Sequence, residues 1–301
     1  MEIYNSIDEY SKTKYESAIA LGFFDGVHIA HKKVIENITN TKDNLKSAVF
    51  TFRNSPVLSF CKAISLLTDN SKKAEILENL GIDCLILQNF EDIKDLNPSS
   101  FVKDVLHNKL HAKTVSCGAN YTFAKNAEGN TNSLNELCKE QNINCIVTAP
   151  VIYQNEFVSS TRIRKLINDG NIKLANTLLG YNFELCGKTI KGYQNGHAFG
   201  FPTINIPLNP EIVIPKFGVY KSEITINNKR YISITNIGVH PTVKESDPVC
   251  ETHILNNGNI KINLSEPVSV SLIDFIRPEI KFESTDLLIE QIKKDIKKMS
   301  D

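Results

Sequence analysis

The chain has 301 residues, enough for two ordinary domains. Its 34 basic and 34 acidic side chains cancel to a formal net charge of zero, so nothing draws the molecule as a whole toward nucleic acid or an anionic membrane. Seven cysteines, at 61, 84, 117, 138, 145, 186 and 250, contain no CxxC pair and no Cys/His ligand spacing, so neither disulfides nor structural zinc is expected.

The opening MEIYNSIDEYSKTKYES is polar and mixed in charge, without the apolar core of a signal peptide. No apolar run approaches bilayer length, and a cytoplasmic location is expected. Ser17 to Phe24 is a short apolar run, followed by a helical pattern from about Val27 to Thr39 and a strand from Ser47 to Phe52. Ser71 to Leu80 reads as a helix with Ser71 as N-cap and Gly81 just past its end; Ile82 to Leu87 is the next strand. Pro98 to Leu110 is helical, Lys113 to Cys117 extended, Ser133 to Glu140 helical and Asn144 to Tyr153 extended. This alternation predicts a parallel sheet with helices on both faces, where ligands bind beyond the carboxyl ends of the strands. The segment GFFDGVHIAH, Gly22 to His31, occupies that place after the first strand.

Two helices follow, SSTRIRKLINDG and NIKLANTLLG, closed by Gly170 and Gly180. Beyond Gly180 the pattern changes to short β-rich runs, Cys186 to Lys191, Val219 to Ile226, Arg230 to Ile237, Glu251 to Leu255 and Val268 to Ile276. An antiparallel sheet or small barrel fits them. A last amphipathic helix, about Ser284 to Lys298, places Leu287, Leu288, Ile292 and Ile296 on one side. A boundary near Asn182 divides the chain into domains 1–182 and 183–301.

His28 and His31, at i and i+3 in a first helical turn, share one face. No third metal ligand lies nearby in sequence, and the zincin spacing is i, i+4. The turn before them carries Asp25 and Gly26, and the free amides of a helix N-terminus favour anions, so phosphate is the expected ligand. In the second half Gly187-Lys188-Thr189 imitates a P-loop, but that pattern needs another glycine where the chain has Asn182, and a following helix.

GFFDGVHIAH resembles the GxFDGxHxGH segment of the bifunctional bacterial riboflavin kinase/FMN adenylyltransferase family, also called FAD synthetase. In order follow GANYTFAKNAEG (118–129), similar to the family's GxDFxFGxxxxG, and VSSTRIRKLINDGNIKLANTLLGYNF, similar to its ISSTxIRxxLxxGxxxxAxxLLGRPY. GKTIKGYQNGHAFGFPTINI, GVY, NIGVHPTV, ETHIL and DFIRPEIKF resemble the family's kinase half, so the likeness spans nearly the whole chain. Departures from the family pattern stand at Phe23, Ala30, Asn120, Ala124 and His197.

The resemblance implies a Rossmann-like nucleotidyltransferase domain with a parallel sheet. It implies, after it, a riboflavin kinase domain, an antiparallel six-stranded β-barrel with a terminal helix. It implies transfer of AMP from ATP to FMN in the first and phosphorylation of riboflavin by ATP in the second. For the first domain it implies that His28 and His31 are catalytic, and that Gly22, Phe24, Asp25, Gly26, Ser159, Ser160, Thr161, Arg162 and Arg164 hold ATP and its phosphates. Asn120, Tyr121 and Phe123 would meet the flavin. For the second it implies a nucleotide cradle of Gly187, Gly192, Gly200 and Pro202, Mg²⁺ on Thr203 and Asn205, Glu251 as general base, and Arg277 at the flavin end. Partners would be small molecules alone, with neither nucleic acid nor membrane, in a monomer or weak homo-oligomer. Two alternatives stand beside this: a kinase whose adenylyltransferase domain has decayed, and a non-enzymatic flavin-binding regulator.

Overall fold

The structure, a computed structural model, describes residues 1–39, 44–54, 65–190, 202–239, 248–255 and 264–299. It forms two compact units, Met1–Ser160 and Thr161–Asp301.

The first unit contains β1 (Glu2–Tyr4), β2 (Ser17–Leu21), β3 (Lys46–Phe52), β4 (Cys84–Gln88) and β5 (Ala112–Gly118). After a hairpin of β6 (Thr122–Phe123) and β7 (Gly129–Asn130) comes β8 (Asn144–Thr148). β1–β5 and β8 form one parallel sheet in the order β1-β4-β3-β2-β5-β8. All five residues of SAIAL in β2 and of CLILQ in β4 are buried, as a sheet covered on both faces requires. From β2 the chain builds outward through β3 and β4 on one side, and β5 and β8 lie on the other. The carboxyl end of β2 is therefore the switch point.

Several local boundaries differ from expectation. β1 and the helix Ile7–Ser11 arise from the polar N-terminal stretch, because Ser6 caps the helix and Tyr4 packs edge-on against the buried Tyr10 at 5.1 Å. The second helix runs Ile29–Thr39. The helix Asn70–Asn79 is capped by Asp69, which accepts from Lys72 N, so Ser71 lies inside it. Pro98–Ser100 forms one α-turn that widens into a π-helix, Phe101–Lys109, with Leu110 N donating to Val105 O at 2.9 Å. The stretch from Asn144 to Tyr153 is not one strand: Pro150 follows β8, and β9 (Ile152–Tyr153) pairs back on β10 (Glu156–Phe157). Cys117 and Cys138 lie in the core of this unit with Cys145 packed against them, and the described cysteines are free thiols.

The helices Ser160–Asn168 and Ile172–Leu179 are followed by left-handed Gly170 (φ 81) and Gly180 (φ 73). Asn176 ties the second of them to the barrel, its Nδ2 donating to Leu272 O at 2.8 Å. The barrel consists of β11 (Glu184–Lys188), β12 (Thr203–Pro207), β13 (Gly218–Ile226), β14 (Lys229–Val239), β15 (Pro248–Ile254) and β16 (Pro267–Arg277). It is a six-stranded antiparallel sheet, ordered β11-β16-β13-β14-β15-β12. A single bridge, Ile190 N to Asn205 O at 2.9 Å, links its two edges and nearly closes it. At Gly187 a Cβ would stand 2.3 Å from Ile206 Cγ2, so only glycine lets β11 lie this close to β12. Buried hydroxyls pair with one another in the interior: Ser222 with Thr235 at 2.7 Å and Thr235 with Thr252 at 2.8 Å.

The terminal helix is Thr285–Lys298, capped by Ser284. Its inward stripe is Leu288, Ile292, Asp295 and Ile296; Leu287, expected on that side, is exposed. The helix is turned so that Asp295, fully buried, meets Arg277 Nε at 2.8 Å.

Candidate active sites

In the first unit the chain leaves β2 at Gly22 and turns back through Phe24 (φ 53), Gly26 (φ 78) and Val27 (φ 36). Positive φ at Phe24 and Val27 is costly for residues with side chains and marks an over-determined turn. Hydrogen bonds hold it. Asp25, buried, accepts from Leu67 N at 2.8 Å and Thr68 N at 3.4 Å, while Gly26 N donates to Thr68 Oγ1 at 3.2 Å. Ser160 Oγ donates to the Asp25 carbonyl at 2.9 Å. These bonds assign Asp25 and Ser160 to building the turn. Gly22 lies under the Phe24 ring, where a Cβ would approach it to 3.0 Å.

His28 stands just before the helix Ile29–Thr39 and caps it, its Nδ1 accepting from His31 N at 3.4 Å. Nδ1 is thereby the acceptor, which in the neutral ring places the proton on Nε2. The two imidazoles stack, centroids 3.6 Å apart at 16°, and Phe24 meets His31 edge-on at 5.3 Å. His31 Nδ1 is buried without a hydrogen-bond partner among the described residues. Burial, then the neighbouring His28 and Lys73, hold His31 well below the usual imidazole range, so it is neutral at physiological pH. Among the described residues no group of three or more His, Cys, Asp or Glu is arranged to hold a metal.

A residue missed in the sequence completes this corner. Lys73, 1% exposed, donates from Nζ to the Phe23 carbonyl at 2.9 Å and lies 4.4 Å from the Phe23 ring. Its only sequence signal is a lysine at a core-facing position of an amphipathic helix.

The expected flavin residues lie beyond β5. Asn120 is exposed, while Tyr121 stacks on the buried Phe123 at 5.8 Å and Phe123 packs on Phe101 at 5.3 Å. A Cβ on Gly129 would come within 2.5 Å of the Phe123 ring. Ala124 adopts φ 65, ψ −176, a conformation suited to glycine. Ser159 precedes the helix Ser160–Asn168. On that helix, Thr161 is exposed and Arg162 and Arg164 are half-buried; all three belong to the second unit.

In the barrel, register builds the second site. Asn205 of β12 lies opposite Glu251 of β15, which in turn lies opposite Asn236 of β14. Directly opposed residues share a face, so the amide, carboxylate and amide form one cross-strand row. Thr203, two residues before Asn205, is on the same face, opposite His253. His253 Nδ1 donates to the Pro202 carbonyl at 2.9 Å and fixes the entry to β12. Asn236 and His253 were not singled out from sequence; both require the strand register to be seen. Arg277 is committed elsewhere: its Nε binds Asp295, and its Nη1 donates to the Pro278 carbonyl at 3.0 Å. Gly192 and Gly200 lie outside the described residues.

A hydroxyl and an amide oxygen on one strand face, with a carboxylate opposite, are hard donors that fit Mg²⁺ carried in mainly by substrate phosphates. The hydroxyl, amide and carboxylate in this row are Thr203, Asn205 and Glu251.

A parallel nucleotidyltransferase-type sheet with an H-x-x-H turn at its switch point, followed by an antiparallel barrel with a T-x-N strand facing a glutamate, defines a two-domain, nucleotide-using class. Residues 10–162 match the FAD synthetase family and residues 179–301 the riboflavin kinase family, and the chain belongs to the bifunctional riboflavin kinase/FMN adenylyltransferase family. The enzyme of that name from Buchnera aphidicola (subsp. Schizaphis graminum) is 32% identical over 98% of this chain and 97% of its own. The one from Listeria monocytogenes is 34% identical over 94% of this chain and 91% of its own. A Streptococcus pneumoniae crystal structure described as a macrolide-efflux protein shares the fold at TM-score 0.89 and 27% identity, covering 99% of this chain and 98% of that one. Among the described residues no helix here is long and apolar enough to cross a membrane.

Proposed function

We propose that this chain makes FAD from riboflavin in two ATP-dependent steps, with residues 183–301 forming FMN and residues 1–182 converting it to FAD. The observation that carries the proposal is the opposition of Asn205 and Glu251 in the barrel.

In the first step the riboflavin 5′-hydroxyl is a poor nucleophile, and Glu251 takes its proton as the oxygen bonds to the γ-phosphorus of ATP, releasing ADP. Thr203 and Asn205 would hold Mg²⁺, which neutralises charge on the transferring phosphates. In the second step an FMN phosphate oxygen attacks the α-phosphorus of ATP and pyrophosphate leaves. That oxygen is already ionised, so no base is needed, and the work is positioning and charge stabilisation. His28 would donate a hydrogen bond from Nε2 to a phosphate oxygen, at the start of a helix whose N-terminal dipole favours anions. Ser159, Thr161, Arg162 and Arg164 are proposed to assist at the phosphates, and Asn120, Tyr121 and Phe123 at the flavin. The matched ranges leave 163–178 to neither family, and the functional boundary near Asn182 is part of this proposal. So are a cytoplasmic setting and a monomer or weak homo-oligomer.

Purified protein incubated with riboflavin, ATP and Mg²⁺, followed by chromatographic separation of flavins, tests the proposal. FMN followed by FAD is expected. FMN alone would favour a kinase with an inactive first domain, a reading that the left-handed Ala124 in the flavin loop supports.

A further inference from the structure

Lys73 is a nearly fully buried lysine, 1% exposed, on the helix Asn70–Asn79. An ammonium carries three donors. One is used, on the Phe23 carbonyl at 2.9 Å, and that same oxygen also accepts from Thr51 Oγ1 at 2.9 Å. Lys73 has no ion pair among the described residues. The acid whose charge it feels, Asp25, accepts from the amides of Leu67 and Thr68. Among the described residues its other contact is the face of the Phe23 ring, 4.4 Å from Nζ. Burying an ammonium on one carbonyl and one ring is expensive, and a fold that needed only a post beneath Phe23 would be better served by an apolar side chain.

A second buried group in the same corner also has unused capacity. His31 Nδ1 is enclosed and without a partner among the described residues, and its ring packs on Phe24, the residue after the one Lys73 holds. An ammonium and an imidazole nitrogen thus flank residues 23 and 24 of one strained turn, each with hydrogen-bonding capacity unused among the described residues. Phosphate oxygens supply negative charge and several acceptors for the ammonium in one rigid group, and an acceptor for His31 in the tautomer protonated on Nδ1.

We propose that Lys73 is a phosphate-contacting residue of the adenylyl-transfer site, turning from the Phe23 carbonyl toward the triphosphate of ATP and stabilising charge on the α-phosphate and departing pyrophosphate. The proposal rests on the first unit being an adenylyltransferase. It adds a cation from the helix Asn70–Asn79 to the imidazoles of the turn.

The test compares Lys73→Met, Lys73→Gln and Lys73→Arg with the parent, full-length throughout. A cooperative urea transition of the first unit reports folding in each sample, and formation of FMN from riboflavin, which depends on the barrel, is the internal control. Expected are unchanged FMN formation and a fall of about 100-fold or more in kcat/KM for ATP in FMN-to-FAD conversion for Met and Gln. Partial recovery is expected in Arg. Calorimetric titration with inorganic pyrophosphate should show binding to the parent that Lys73→Met weakens at least tenfold. FAD formation by folded Lys73→Met within threefold of the parent overturns the proposal. Should the parent make no FAD, the adenylyltransferase assignment fails on its own, and pyrophosphate titration decides Lys73: equal binding by parent and Lys73→Met, or none by either, overturns the proposal.

Discussion

Asn205 and Glu251 face each other directly across β12 and β15, with Asn236 next in the row. Glu251 is half-buried and its strand pairing does not involve the side chain, so Glu251→Gln preserves shape while removing the base. FMN formation should fall by about 10²- to 10⁴-fold with an unchanged thermal midpoint. A variant retaining more than a tenth of the parent rate would remove Glu251 from the chemistry.

His28 has two jobs that one substitution separates. Its Nδ1 caps the helix Ile29–Thr39, and its proposed second job is donation from Nε2 to a phosphate. His28→Ser keeps a capping oxygen but empties the buried space of the ring, so stability in urea should fall by about 1–3 kcal/mol in a protein that still folds. FAD formation should nevertheless drop by about 100-fold. Full activity in the serine variant would reduce His28 to a cap.

Ala124 holds φ 65, ψ −176, where an L side chain is strained. Ala124→Gly should raise the unfolding free energy by about 1 kcal/mol, read from the urea midpoint at constant slope. A lower midpoint would mean that the loop is not strained in solution.

Burial lowers the Lys73 ammonium from its ordinary 10.5 to about 8. The folded protein therefore binds this proton more weakly than the unfolded chain does. The resulting penalty is fully present below about pH 8 and disappears as pH rises toward 10.5, the unfolded value. Lys73→Met should stabilise the ligand-free protein at pH 7, by up to an order of 3 kcal/mol. Its advantage should shrink between pH 8 and 10.5, measured by urea unfolding at each pH. An advantage that does not vary with pH would place the proton elsewhere.

The Arg277–Asp295 pair joins β16 to the terminal helix, with side chains 12% and 1% exposed. Asp295→Ala leaves a largely buried guanidinium unpaired and should cost about 3–5 kcal/mol. Arg277→Met combined with Asp295→Leu should recover most of it. Failure of the pair to recover would trace to Gln291, whose Nε2 donates to Asp295 Oδ1 at 2.8 Å and loses that acceptor in both variants.

Much of the architecture was legible because it rests on periodicity and punctuation. The buried runs SAIAL and CLILQ, the glycines after Asn168 and Leu179, and the alternation of Gly218–Ile226 each announce their element locally. What was not legible depends on distant pairing. Asp69 rather than Ser71 caps its helix because the side chain that reaches Lys72 N wins, and both are good caps. Leu287 faces out because a buried ion pair, not hydrophobicity, sets the rotation of the last helix. Asn236, His253 and Lys73 enter the two sites through strand register or tertiary packing over 15 to 51 positions, which no local pattern encodes.

The central claim, two separate sites acting on one vitamin, is tested most directly by chromatographic flavin analysis of Glu251→Gln and His28→Ser, each given riboflavin and, separately, FMN. Opposite defects are expected: the first variant makes FAD from FMN but no FMN from riboflavin, and the second accumulates FMN without FAD. Loss of both conversions in either folded variant would contradict it.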